Sequence, residues 1–115
     1  MSESPVQVSH AYFSDESVAR AEIEAAGYHP LTISVPAQSK ATHWHDFDSL
    51  IFILDGEVTI TVADSGERCV CRKGTKVVAP ARVAHSEETE GYELLLGVSC
   101  PPAQMTRPLN KPLPM

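Results

Sequence analysis

Residues 42–56 read Thr-His-Trp-His-Asp-Phe-Asp-Ser-Leu-Ile-Phe-Ile-Leu-Asp-Gly, so two histidines stand shortly before a continuously apolar run. His43 and His45 are two positions apart, which on an extended strand puts both side chains on one face with Cα atoms about 7 Å apart. Ring nitrogens at that spacing can reach one metal ion at about 2.1 Å. Such a pair also occurs on exposed strand faces, so a metal site requires a third ligand.

The third ligand is expected at His85. Residues 80–84 read Pro-Ala-Arg-Val-Ala, a turn signal that would deliver His85 to the start of a strand after the intervening hairpin strands have circled a barrel. His10 and His29 lack a partner at a suitable spacing, and we interpret both as surface or packing residues. The sequence therefore predicts one divalent metal ion held by the histidine pair and His85.

The pattern from His29 onward is typical of an all-β protein, because short β-branched runs recur between Gly, Pro and Asp at intervals of roughly 8 to 12 residues. We predict strands over residues 31–35, 50–54, 57–62, 67–72, 76–79 and 92–99. Asp55-Gly56 is expected to form a two-residue hairpin turn. Val58, Ile60 and Val62 would face inward on the strand that follows. No βαβ alternation is present, which disfavours a parallel α/β fold.

One short helix is predicted over residues 15–26, with Ser14 as its cap, acidic residues in its first turn and Gly27 after its last turn. Its apolar stripe is narrow enough to suit packing on a barrel wall or a lid. The stripe consists of Val18, Ala21, Ile23 and Ala25.

The last fifteen residues hold five of the nine prolines, which excludes a helix or a central strand there. We expect an extended tail that is either disordered or lies over a neighbouring subunit. The expected organisation is one domain: an N-terminal segment with the helix over 1–28, a β-barrel over 29–100 and a Pro-rich tail over 101–115.

Composition narrows the class of protein. The 115 residues carry 9 Lys and Arg against 15 Asp and Glu, a net charge of −6 that repels a phosphate backbone, so nucleic acid is not an expected partner. No apolar run approaches the roughly 20 residues that span a bilayer, so no membrane association is expected. The first five residues lack the features of a secretory signal, and three cysteines without a CxxC pair suit reduced thiols. We expect a cytoplasmic protein.

The spacing after the histidine pair resembles the first sequence motif of the cupin superfamily, in which HxH is followed by Glu four residues on and by Gly seven residues after that. Ser49 stands at the Glu position of this chain and Gly56 at the Gly position. The frame of the motif is present and its glutamate is replaced.

A second stretch resembles the other cupin motif, which runs Gly, five residues, Pro, a Gly two on, then His and later Asn. Gly74, Pro80 and His85 match this pattern, whereas Arg82 and Thr89 replace the second Gly and the Asn. Seventeen residues separate Gly56 from Gly74, as in compact single-domain cupins.

The resemblance implies an all-β fold, a cupin double-stranded β-helix or jelly-roll barrel over roughly residues 30–100. It also implies a metal bound by three neutral imidazoles, with open positions for water, substrate or dioxygen. Such sites are similar to those of thiol and diketone-cleaving dioxygenases, which favours iron(II), with zinc, nickel and manganese as alternatives. The alternative functions are a non-enzymatic small-molecule-binding or sensory cupin, and a Lewis-acid metal isomerase or lyase.

Further residues are candidates for this site. Asp48 and Ser49 are additional candidate ligands, although the strand period places Asp48 on the outer face unless a bulge reorients it. Glu87, on the face of His85 in a regular strand, and Tyr92 are candidate acid–base residues.

The remaining side chains near the motif suggest the surroundings of the site. Phe47 and the apolar run 50–54 would line a largely hydrophobic pocket for a small organic substrate. Trp44 would face outward against the helix, the tail or a second subunit. Arg82 is interpreted as a solvated turn residue that could alternatively reach the pocket mouth to pair with a carboxylate. A homodimer is expected, because so small a barrel leaves strand edges and an apolar face to be covered.

Overall fold

The computed structural model describes residues 6–101, 104 and 110–113. Within them, the chain forms seven strands and one α-helix. In chain order these are β1 (Gln7–Ser9), α1 (Glu16–Ala25), β2 (His29–Trp44), β3 (Ser49–Val62), β4 (Arg68–Arg72), β5 (Lys76–Ala79), β6 (His85–Val98) and β7 (Lys111–Pro112).

All strand pairs are antiparallel, in the order β1-β5-β3-β6-β2-β7, with β4 paired to β3. The long strand β6 lies at the centre, because it pairs with β2 along one edge and with β3 along the other. The long strands bend, and the sheet curls into a jelly-roll barrel. The predicted all-β jelly roll with one short helix is confirmed.

The hairpin turn predicted at Asp55-Gly56 is wrong, because β3 continues through both residues. The register against β6 shifts between Ile53 and Asp55 and again after Glu57, so the dipeptide forms a bulged bend. Gly56 has a φ of +77°, and a Cβ there would collide with the carbonyl oxygen of Gly91. The strand pairs with β5 before this bend and with β4 after it, so the bend turns the sheet around the barrel.

The other predicted strands lie where the structure has strands, but two of them are longer than predicted. The run 31–35 is part of the sixteen-residue β2, and the run 92–99 is the second half of β6. Gly91, with a φ of +128°, marks the point where β6 bends. The alternation in 57–62 correctly predicts the inward residues Val58, Ile60 and Val62, which are all buried.

The helix begins one residue later than predicted, because Asp15 and not Ser14 is its N-cap. The Asp15 carboxylate accepts a hydrogen bond from the Ser17 backbone N–H at 2.9 Å. This bond pairs one of the N–H groups that the first turn of a helix leaves without a partner. Gly27 follows the helix with a φ of +77°, as its position in the sequence indicates.

The helix packs against the outer face of the barrel. Ala19 and Ile23 are buried there against Phe52 and Leu95, so α1 covers the wall and does not act as a lid. Val18, which the predicted stripe included, is 58% exposed, because the face that contacts the sheet is formed by Ala19 and Ile23.

The edge of β2 that does not pair with β6 is covered in part by the C-terminal segment. Lys111 and Pro112 form β7, which pairs with His43 and Trp44 of the same chain. The rest of the predicted tail, apart from residues 101, 104, 110 and 113, lies outside the described residues. Among those that are described, no helix has the length and hydropathy needed to cross a membrane.

Candidate metal centre

The barrel encloses a cavity of about 860 Å³ whose wall is mainly aliphatic. Four polar residues of the wall lie where β2 ends and β6 begins, namely Lys40, His45, His85 and Glu87. The aliphatic lining consists of Val6, Ile33, Val35, Ile51, Ile60, Val77, Ala79, Leu94 and Leu96.

Three histidines meet at that end. His43 and His85 are cross-strand partners on β2 and β6, with ring centroids 4.5 Å apart. His45 follows the last residue of β2, and its ring centroid lies 5.1 Å from that of His43 and 5.4 Å from that of His85. One ligand nitrogen from each ring lies within 4.8 Å of the other two. The structure thus brings together the three histidines that the sequence selects.

Backbone carbonyls fix the protonation of two of these rings. His43 Nδ1 lies 2.8 Å from the Ala41 carbonyl oxygen, and His85 Nδ1 lies 3.0 Å from that of Val83. Because a carbonyl oxygen only accepts, each Nδ1 carries the hydrogen and each Nε2 presents a lone pair in the neutral ring. This arrangement is typical of metal-binding histidines, whose second nitrogen donates to a backbone carbonyl.

Burial adds a second sign of a metal site. His43 is 4% exposed, and its Nε2 has no hydrogen-bond partner among the residues that the structure describes. A buried polar nitrogen without a partner destabilises a fold, and a metal ion would satisfy it. Burial also lowers the pKa of His85, with a further contribution from the neighbouring His43, and this favours the neutral ring that binds metal.

The third ring is held by its neighbours. The His45 imidazole stacks on the buried Phe47 ring at a centroid distance of 5.0 Å, and Phe47 faces inward as predicted. The Arg82 backbone N–H donates to the His45 carbonyl oxygen at 2.7 Å, which links this residue to the loop before His85. The Arg82 guanidinium lies over the Trp44 ring, 5.1 Å from its centroid, so neither sequence-based interpretation of Arg82 describes its main contact.

Glu87 lies beside the cluster. Its Oε2 is 3.6 Å from His43 Nε2 and 3.9 Å from His85 Nε2, and the Tyr92 hydroxyl donates to its Oε1 at 3.0 Å. Burial raises the pKa of Glu87, but the His43 ring, the charge of Lys40 and the Tyr92 hydrogen bond outweigh burial and lower it to about 2. Burial and the adjacent carboxylate raise the pKa of Tyr92, so its hydroxyl remains a donor. Glu87 is therefore an ionised carboxylate facing the histidines.

Lys40 also lines the cavity, and sequence reasoning missed it. Three positions separate Lys40 from His43, so a regular strand would put them on opposite faces. A register shift between the two residues turns both side chains inward and makes Lys40 the cross-strand partner of Glu87. The shift depends on the partner strand β6, so the local sequence carries no signal for it.

The two additional candidate ligands, Asp48 and Ser49, lie in different surroundings. Asp48 is exposed, and its Oδ1 accepts a hydrogen bond from the Ala81 backbone N–H at 2.7 Å, so the structure does not bring it together with the three histidines. No bulge reorients it, and its carboxylate instead fixes the loop that leads to His85. Ser49 is buried and lines the cavity, but a neutral hydroxyl is a poor metal ligand.

A sequence profile described as the cupin domain matches residues 31–96, more than half of the chain. The chain belongs to the cupin family. Among curated proteins, none matches this cupin in sequence. The matched range includes both histidine-bearing segments, so the resemblance of the two motifs is confirmed at the level of the family.

Solved structures agree with this assignment. A DUF861 family protein from Thermotoga maritima is 17% identical, with a TM-score of 0.62 over 79% of this cupin and 96% of that protein. A protein from Neisseria meningitidis is 26% identical, with a TM-score of 0.55 over 63% of this chain and 73% of its own. A cupin-2 domain containing protein from Shewanella frigidimarina is 20% identical, with a TM-score of 0.54 over 64% and 71%. These likenesses establish the fold.

Proposed function

We propose that this cupin binds one ferrous ion through His43, His45 and His85 and acts as a dioxygenase on a small organic substrate. The observation behind the proposal is the pair of Nδ1–H bonds to backbone carbonyls, which leaves an Nε2 lone pair on each of two buried rings whose centroids lie 4.5 Å apart. Coordination of an ion would supply the partner that His43 Nε2 lacks among the described residues.

The donor set fits iron chemistry of the dioxygenase kind. When bound, a ferrous ion held by these imidazoles would supply open positions at which a substrate and dioxygen can bind side by side. The protein's own part is to exclude water and to orient the substrate, and the aliphatic cavity wall is suited to both.

The cavity also suggests the substrate class. Lys40 is the single Lys or Arg in the described cavity lining, and it forms no ion pair within 4 Å of its ammonium nitrogen there. A ligand that packs an apolar part against Leu94 and Leu96 and directs an acidic group to Lys40 would match both the aliphatic lining and its one cation. We therefore propose a small, mainly apolar organic acid as the substrate class.

Metal analysis tests the proposal. Protein purified without added metal should contain about one equivalent of iron, and the His43→Ala/His85→Ala variant should contain none. The matched control is His10→Ala, since His10 is an exposed histidine away from the cavity. Zinc, nickel or manganese lost in the same way would favour the Lewis-acid isomerase or lyase, and a protein that binds no metal even after reconstitution would contradict the site.

Oxygen consumption then separates catalysis from binding. Iron-loaded protein should consume dioxygen with thiol, diketone or phenol substrates that carry an acidic group, and Lys40→Met should raise the KM for the acid more than for its neutral amide. A ligand that raises the melting temperature but is recovered unchanged by mass spectrometry would instead favour the non-enzymatic binding or sensory cupin.

A further inference from the structure

The histidine cluster has a carboxylate beside it that comes from an unexpected strand. The cupin motif places its glutamate four residues after HxH, on the strand that is β3 here, and this chain has Ser49 at that position. Glu87 instead lies on β6, two residues after His85 and on the same face of the strand. The carboxylate lost from one wall of the barrel is thus present on another.

We propose that Glu87 is a fourth protein ligand of the metal ion, so that β6 supplies the carboxylate that β3 lacks. The inference rests on the proposed metal site and adds to it a negatively charged oxygen ligand. It assigns Tyr92 as the positioning residue of that ligand.

The distances from Glu87 to two of the three histidines suit a shared ion. Two atoms that both bind an ion at about 2.1 Å cannot be more than about 4.2 Å apart. Glu87 Oε2 meets this limit with both His43 Nε2, at 3.6 Å, and His85 Nε2, at 3.9 Å. The largest separation among the three histidine ligand atoms is up to 4.8 Å, so the rings need to close by only about half an ångström.

The two oxygens of the carboxylate have different surroundings, and this points to ligation. Tyr92 donates to Oε1, which orients the group and leaves Oε2 turned toward the imidazoles. The Glu87 side chain is only 15% exposed, so water satisfies little of its charge. A cation bound between the Glu87 oxygen and the two Nε2 atoms would satisfy both the carboxylate charge and the ring lone pairs.

The neighbouring glutamate provides a matched control. Glu88 follows Glu87 directly but points to the other face of β6, where its side chain is 66% exposed and paired with Arg68 at 3.8 Å. A Glu88→Gln change removes the same charge from the same strand without touching the cavity.

Cobalt(II), added alone to the metal-free full-length chain, tests the ligand assignment. Glu87→Gln should weaken cobalt affinity by at least about 10-fold in a chelator competition and alter the cobalt absorption spectrum, whereas Glu88→Gln should change neither. In a crystal structure of the cobalt-loaded protein, Glu87 Oε2 should lie at about 2.1 Å from the ion. Tyr92→Phe should weaken affinity by a smaller factor than Glu87→Gln.

A second variant keeps the test independent of folding defects. Ser49→Glu in the Glu87→Gln background returns a carboxylate to the motif position, and it should recover affinity if a carboxylate ligand is what the site lost. Cobalt on the three histidines with Glu87 Oε2 more than about 3.5 Å away would overturn the inference but leave the proposed function standing. Failure of the unaltered protein to bind cobalt, iron or zinc would overturn both.

Discussion

At the scale of single residues, His85 is expected to make the metal-free fold sensitive to acid. Burial lowers its pKa below the ordinary value of 6.5, so the unfolded chain binds a proton at a pH where the folded chain does not. The contribution of His85 to the free energy of unfolding is therefore fully present above about pH 6.5. It decreases as the pH drops below that value, by at most about 1.4 kcal/mol per pH unit for one group.

Urea unfolding at several values between about pH 7.5 and pH 5 measures this slope. His85→Gln should flatten it, and the exposed His10→Gln should leave it unchanged. Glu87 does not interfere in this range, because its pKa falls from 4.5 to about 2 on folding and its contribution is lost only below about pH 4.5. Equal slopes in all three proteins would contradict the prediction.

The residues of the candidate centre differ in how far the sequence could predict them. His43, His45 and His85 could be predicted, because the two-residue period of a strand and the residue spacing of the cupin motifs are both read from neighbouring positions in the sequence. The approach of Glu87 to His43 is not local, because it depends on the pairing of His43 with His85, two residues that are 42 positions apart (85 − 43) on different strands.

At the scale of secondary-structure elements, the helix is fixed to the sheet by a close approach at Gly97. A Cβ at Gly97 would lie 2.7 Å from Ile23 Cγ2, and Ile23 is fully buried. Gly97→Ala should therefore destabilise the fold by about 1–3 kcal/mol in urea unfolding. In an Ile23→Ala background the clash is absent, so the same change should cost clearly less, and additive effects of the two changes would contradict this account.

The edge of β2 allows a second prediction at this scale. The Trp44 indole N–H donates to the Pro112 carbonyl oxygen at 3.1 Å, and Trp44 is the only tryptophan of the chain. Removing residues 110–115 should shift Trp44 emission to longer wavelength and destabilise the fold by about 1 kcal/mol. A chain ending at Leu113 keeps the strand and should resemble the full-length protein; an unshifted emission in the shorter chain would contradict the pairing.

Elements also mark where sequence reasoning failed. Asp55-Gly56 has the residues of a two-residue hairpin, but the same residues form a bulge when a third strand pairs through them. The partner that decides between the two is β6, which lies more than thirty residues away. Trp44, in contrast, faces outward toward the tail as its parity predicts, because that contact requires only the alternation of the strand.

At the scale of the whole molecule, the jelly roll was predictable because two short motifs with the right spacing specify the family. The described segment 110–113 lies on its own chain, which the sequence did not indicate.

The homodimer remains a prediction, which sedimentation velocity can measure. Pro30 and Pro36 have no backbone N–H, so the free edge of β2 offers an incomplete row of hydrogen-bond donors. We therefore expect subunits to meet through a face of the barrel and not through that edge.

Metal binding should stabilise the whole barrel, because the proposed ligands join the end of β2 to the start of β6. An ion that binds only the folded chain adds about 2.7 kcal/mol when its free concentration is one hundred times its Kd. For a domain of this size we expect the melting temperature to rise by roughly 10 °C on addition of cobalt(II) to the metal-free protein. His43→Ala should abolish the rise and His10→Ala should preserve it. A rise that survives in His43→Ala would place the stabilising ion elsewhere on the molecule.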